Sequence, residues 1–207
     1  ALFAASTASA VTHTLGADAD TYIRYNSNEG NNYGNNDHMF LRQRDHDSGS
    51  TRDFIGYTRF DLSSLGAISI QSATLTFTKE NASRDDDITD TRFALYGLDD
   101  VAGNTAQNWN ETSLTWNNSG SETDESIYPS PAAGESPLDP ARVTDLDGDV
   151  PGMSEVISGG GDSFGDTVTL SGSPLVAFLQ SRVDADSDTG LATFILDIPA
   201  FGGSSTT

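Results

Sequence analysis

The chain has 207 residues, 35% of them hydrophobic, enough for one domain with a real core. Its formal charge of −21 argues against a nucleic-acid partner, which needs a basic footprint. With no cysteine, neither disulfides nor a thiolate zinc site can hold it together.

Residues Ala1 to Leu15 are small and apolar and read as an extended segment, either the remnant of a secretory signal ending at Ala8-Ser9-Ala10 or a strand donated to a neighbour. Export to the cell surface or beyond is the expectation. No run approaches the roughly 18 to 20 apolar residues of a membrane span. Residues 16–207 read as one domain.

Short alternating stretches follow: TYIRY, HMFLRQ, FIGYTRFDL, ATLTFTK, TRFALYGL, DTVTL and LATFILDI. Each has strand length, β-branched and aromatic enrichment, and Gly, Asn, Asp or Ser at its borders. Between the first two, Asn26 to Asp37 reads as a structured turn with Tyr33 packed on the body of the fold, and its Asn and Asp oxygens leave ligand binding open as an alternative. Gly30 and Gly34 there are expected to supply positive φ. Gly120 to Gly165 holds five prolines and almost no alternation, so it reads as a long surface excursion around 120–165. Ser173 to Val183 reads as the one helix, with Pro174 in its first turn and Leu175, Phe178 and Leu179 on one face. The sum is an all-β fold, an antiparallel, jelly-roll-like β-sandwich with one short helix.

Alternation places Phe40, Leu62 and Phe77 in the core and turns Tyr22, Arg24, Arg42, Arg44, Tyr57, Arg59, Arg92 and Tyr96 outward. Five of the nine arginines would then lie on strand faces of an acidic protein. Arginine forks pair with carboxylates and aromatic faces stack on sugar rings, so the stripe is a candidate site for an acidic polysaccharide. Cross-strand pairing of these arginines with Asp20, Asp53 or Asp61 is the structural alternative.

The acids are mostly aspartate, which fits either calcium binding or a solvated acidic surface suited to salty surroundings. Asp184, Asp186 and Asp188 alternate in DADSDTG, so a turning backbone could point all three at one calcium ion. Asp145, Asp147 and Asp149 repeat the pattern more weakly. Neither is an EF-hand, and solvated acidic turns are the alternative. Trp109 and Trp116 flank NETSLT, as core packing or as a sugar platform. Catalysis has little support: the three histidines mark no motif, and a lyase group of His38, His46 and Tyr57 is a distant reading.

ADTYIRYNSNEGNNYGNN, YTRFDLSSL, ISIQSATLTF and WNETSLTWNN, in that order, resemble the secreted DNRLRE, or disaggregatase-related, β-sandwich domains over roughly Ala17 to Asn118. The resemblance implies a non-catalytic sandwich of the kind appended to polysaccharide-degrading enzymes, some of which bind acidic polysaccharides. Against that pattern the chain looks one closing strand short. Leu2, Ala4, Ala8, Ala10 and Val11 could fill such a gap in a neighbouring copy and build a head-to-tail filament. Two functions are therefore expected: a structural subunit assembling by strand donation or, alternatively, a stand-alone carbohydrate-binding module.

Overall fold

A computed structural model of the protein describes residues 11–24, 29–41, 54–78, 91–98, 108–119, 143–145, 155–157, 167–184 and 190–197. The alternating segments form strands β1 (Ala19–Arg24), β2 (Phe54–Asp61), β3 (Thr74–Thr78), β4 (Thr91–Leu98), β5 (Val143–Asp145), β6 (Glu155–Ile157), β7 (Thr167–Ser171) and β8 (Leu191–Asp197), with helix α1 (Ser173–Asp184) between the last two. The larger sheet runs β1-β2-β8-β4-β5, with β6 also paired to β4, and β3 pairs with β7 in a second sheet. Every pairing is antiparallel.

The composition of β8 explains this arrangement. LATFILD is apolar on both sides of its pleat, and Leu191 to Leu196 are all buried. A strand tolerates that only when both faces of its sheet are covered. On one face, Leu95, Ala192, Phe194 and Leu196 pack against Leu75 of β3, Leu170 of β7, and Leu175 and Phe178 of α1. On the other, Ile23, Ile55, Tyr57, Tyr96 and Ile195 pack against Leu114, Trp109 and Trp116 of the 108–119 segment. Each such large side chain contributes about 1.5–3 kcal/mol by leaving water.

α1 begins after Gly172, whose carbonyl accepts the Val176 N–H, and it buries Leu175, Phe178 and Arg182 at helical spacing. Phe178 lies so close to Gly97 of β4 that any side chain there would overlap the ring. The Gln180 amide joins the helix to the approach to β3: Nε2 donates to the Ile68 carbonyl at 3.0 Å and Oε1 accepts from the Ile70 N–H at 2.8 Å.

Several expectations need correction. HMFLRQ does not begin as a strand, since residues 38–41 carry no regular structure. Within 120–165, β5 and β6 belong to the larger sheet through β4, so that stretch is not all surface excursion. Neither Gly30 nor Gly34 has positive φ. Leu62 is core and Phe77 packs against it, but Phe40 is 43% exposed.

Candidate functional site

β1 is an edge strand, and an uncovered edge exposes unpaired backbone groups. Residues 29–41 fold around it. The Asn32 side chain anchors this loop: Nδ2 donates to the carbonyls of Glu111 and Leu114 at 2.7 and 2.8 Å, while Oδ1 accepts the Gly34 N–H at 3.1 Å. Gly34 passes against the Glu111 backbone so closely that a β-carbon would overlap its carbonyl. The Asn36 N–H donates to the Tyr33 carbonyl at 3.0 Å, and the Asn36 amide donates to the Tyr22 hydroxyl at 3.0 Å.

These ties lay the Tyr33 ring on Tyr22, with centroids 4.4 Å apart and planes 17° from parallel. Phe40 meets Tyr22 edge-on at 5.4 Å, and His38 meets Phe40 edge-on at 4.5 Å. Phe54 lies tilted 5.7 Å from Tyr22, and the Arg24 guanidinium stands 5.3 Å over the Phe54 ring. Arg24 and Phe54 are register partners across β1 and β2, which puts both on one face. The exposed Asp37 carboxylate sits 2.6 Å from His38 Nδ1. The result is a cluster of rings, one guanidinium and several amides at the sheet edge, with Phe40 as its open face.

Burial, reinforced by the neighbouring Tyr33 phenol, raises the Tyr22 phenol above its usual value near 10. The folded state therefore favours the neutral phenol, and its contribution is lost as pH rises from about 10 through the raised folded value. Tyr22→Phe, which gives up the Asn36 bond for about 1 kcal/mol near neutrality, is expected to lose less stability than the wild type between pH 9 and 11. Thermal melts across that range would check it.

The outward stripe of tyrosines and arginines is not a single surface. Tyr22 pairs with Gly56 and Thr21 with Tyr57, so Tyr22 and Arg24 face one side of the sheet and Tyr57, Arg59 and Tyr96 the other. All three tyrosines are buried, Tyr57 at 1% exposure, because each face has a cover that simple alternation does not anticipate. Arg59 is held by Asp18: Nη2 donates to Asp18 Oδ2 at 2.8 Å, and the guanidinium lies 5.2 Å over Trp109. Trp109 in turn donates its indole N–H to the Thr193 hydroxyl at 3.0 Å and packs with Trp116 against the core, so the two indoles serve packing. Arg92 lies in β4 opposite Val156, while Arg42 and Arg44 lie outside the described residues.

Among the aspartates proposed for calcium, Asp184 ends α1 and accepts the Gln180 amide at 2.8 Å, and Asp145 lies in β5 opposite Tyr96. Asp147, Asp149, Asp186 and Asp188 lie outside the described residues, among which no group of three ligating side chains is placed to hold a metal ion. His38 and Tyr57 occupy opposite faces of the sheet, so the lyase group is not assembled; His46 lies outside the described residues. Leu2, Ala4, Ala8 and Ala10 also lie outside them, and Val11 is 75% exposed.

Sequence reasoning missed His38, Phe40 and Phe54 as members of one patch. A signal was present in HMFL: Met39 and Leu41 approach Gly56, and Leu41 joins the core, so His38 and Phe40 belong on the other side of the alternation.

Among the described residues, no helix is long and apolar enough to cross a membrane. No curated protein matches the chain. The family model for carbohydrate-binding module family 96 matches residues 11–133, a span that contains β1 to β4, the edge loop and the tryptophan segment, and more than half of the chain. The chain therefore belongs to carbohydrate-binding module family 96.

Proposed function

We propose that the protein is a non-catalytic module that binds an acidic polysaccharide through Tyr33, His38, Phe40, Phe54 and Arg24. The observation that carries this reading is the exposed Phe40 ring, held edge-on against Tyr22 beside the Phe54 ring that Arg24 overlies. An exposed phenylalanine gives up the stabilisation of burial, and a sugar's C–H face offers a surface to cover it. Arg24 supplies the group for a carboxylate or sulfate, and a guanidinium resting on a ring is already oriented for such a partner. The family match supports binding over strand donation as the chain's role.

The chain's charge of −21 repels a polyanion. At physiological ionic strength that repulsion is screened beyond about 8 Å, so affinity must come from direct contact. Electrophoresis through gels containing polygalacturonate or hyaluronan tests the reading. Phe40→Ala is expected to weaken retention about tenfold, and Arg24→Ala about ten- to a hundredfold on acidic glycans alone. Equal retention of wild type and both variants would remove the patch from consideration.

A further inference from the structure

The second sheet has an outer surface that neither the core nor the aromatic patch uses. Leu75 of β3 and Leu170 of β7 point inward and are buried. The alternate positions, Thr74, Thr76 and Thr78 on β3 and Thr167, Thr169 and Ser171 on β7, are exposed. The register sets them directly opposite one another as Thr74 with Ser171, Thr76 with Thr169 and Thr78 with Thr167. Strand geometry then spaces the hydroxyls about 7 Å apart along each strand and the pairs about 5 Å across.

We propose that this face is a second glycan-binding surface, which takes an uncharged polysaccharide chain lying along the strands. The inference rests on the carbohydrate-binding family, not on the aromatic patch. Charge argues for the class of ligand: a fifth of the chain is charged, yet no outward position of either strand carries a charge. An acidic glycan would meet no cation there, and a basic partner no anion. A neutral chain rich in hydroxyls would meet donors and acceptors at a regular spacing. Threonine is stiff at χ1, so five of the six hydroxyls need little ordering on contact, which lowers the entropic cost of binding. Threonine's strand propensity accounts for its presence in β3 and β7; the paired hydroxyls and the uncharged face decide which ligand the surface suits.

The test is retention of the full chain on suspensions of cellulose, chitin and a β-1,3-glucan, beside electrophoresis in an acidic glycan. At least one neutral solid is expected to retain the wild type. The pair Thr76→Val and Thr169→Val, which removes hydroxyls and keeps the branched shape, should weaken that retention about tenfold. The pair Thr76→Ser and Thr169→Ser should preserve it. Migration in the acidic glycan should be unchanged by either pair, and Phe40→Ala should leave retention on the neutral solid intact. The proposal is overturned if no neutral polysaccharide retains the wild type, if the valine pair binds like the wild type, if the serine pair loses binding as fully as the valine pair, or if Phe40→Ala abolishes retention. Shaping of ice crystals without retention on any polysaccharide would also overturn it, since the ordered hydroxyls would then be organising water.

Discussion

Gly34→Ala is expected to destabilise the protein by about 3 kcal/mol, which for a chain of this size lowers the melting temperature by roughly 6–12 °C. The added methyl would overlap the Glu111 carbonyl and its Cγ, and a backbone carbonyl cannot swing aside as a side chain can. The loop must therefore lift from the 108–119 segment. Lifting also strains the two hydrogen bonds from Asn32 Nδ2 to the Glu111 and Leu114 carbonyls, which depend on that approach. Because Tyr33 and Asn36 travel on the same loop, the stacking on Tyr22 loosens as well, and glycan retention should fall together with stability. Gly16→Ala is the control: a methyl there meets nothing within 4 Å, and its melting curve should superimpose on the wild type's. Thermal unfolding followed by circular dichroism checks both variants.

Arg59→Ala is expected to cost about 2–3 kcal/mol while leaving glycan affinity unchanged. This guanidinium holds the second face together. It donates from Nε and Nη2 to the Asp18 carboxylate, from Nη1 to the Trp109 carbonyl, and it covers the indole that packs on Tyr57. Its removal strips the partner from Asp18 and uncovers one side of Trp109. Arg59→Lys should recover only part of the loss, because an ammonium lacks the planar fork that reaches the carboxylate and the carbonyl together. A double-mutant cycle with Asp18→Ala should return a coupling energy of about 1 kcal/mol or more, as expected for charged groups in direct contact. Arg59 and the aromatic patch lie on opposite faces of the sheet, so a fall in glycan retention without unfolding would contradict the assignment.

The elements legible in the sequence are those whose local pattern agrees with their final surroundings. FIGYTRFD and TRFALYGL were recognisable as strands, and SPLVAFLQSRV as a helix, because length, border residues and periodicity point the same way. The packing of Tyr33 on the body of the fold and of the two tryptophans against the core was also readable from residue type and position. Facing was harder. Alternation separates core from solvent only when a sheet has one wet face, and here α1 with the β3–β7 sheet covers one side while the 108–119 segment covers the other. LATFILD held that information, since a strand with apolar residues on both sides needs cover on both; TYIRY and FIGYTRFD, read alone, did not.

The shortest strands were beyond reach for a different reason. β5 and β6 have three residues each, fewer than periodicity can resolve, and both owe their existence to the edge that β4 offers them. The patch itself is tertiary in origin: Arg24 and Phe54 are thirty residues apart and become neighbours through the β1–β2 register, while Phe40 reaches them because Asn32 fixes the loop between. Residue type supplied the idea of an arginine beside rings. Which arginine and which rings depended on pairings that sequence spacing does not specify.

Amide spectra of the isotopically labelled full chain, recorded while an acidic oligosaccharide is added to millimolar concentration, test the central claim most directly. The expected result is a saturable set of shifts concentrated on Arg24, Tyr33, His38, Phe40 and Phe54, with a midpoint moved to about tenfold higher ligand in Phe40→Ala. Shifts confined to the 108–119 segment or to β3 and β7, or an unperturbed spectrum at millimolar ligand, would contradict the assignment of the edge patch as the acidic-glycan site.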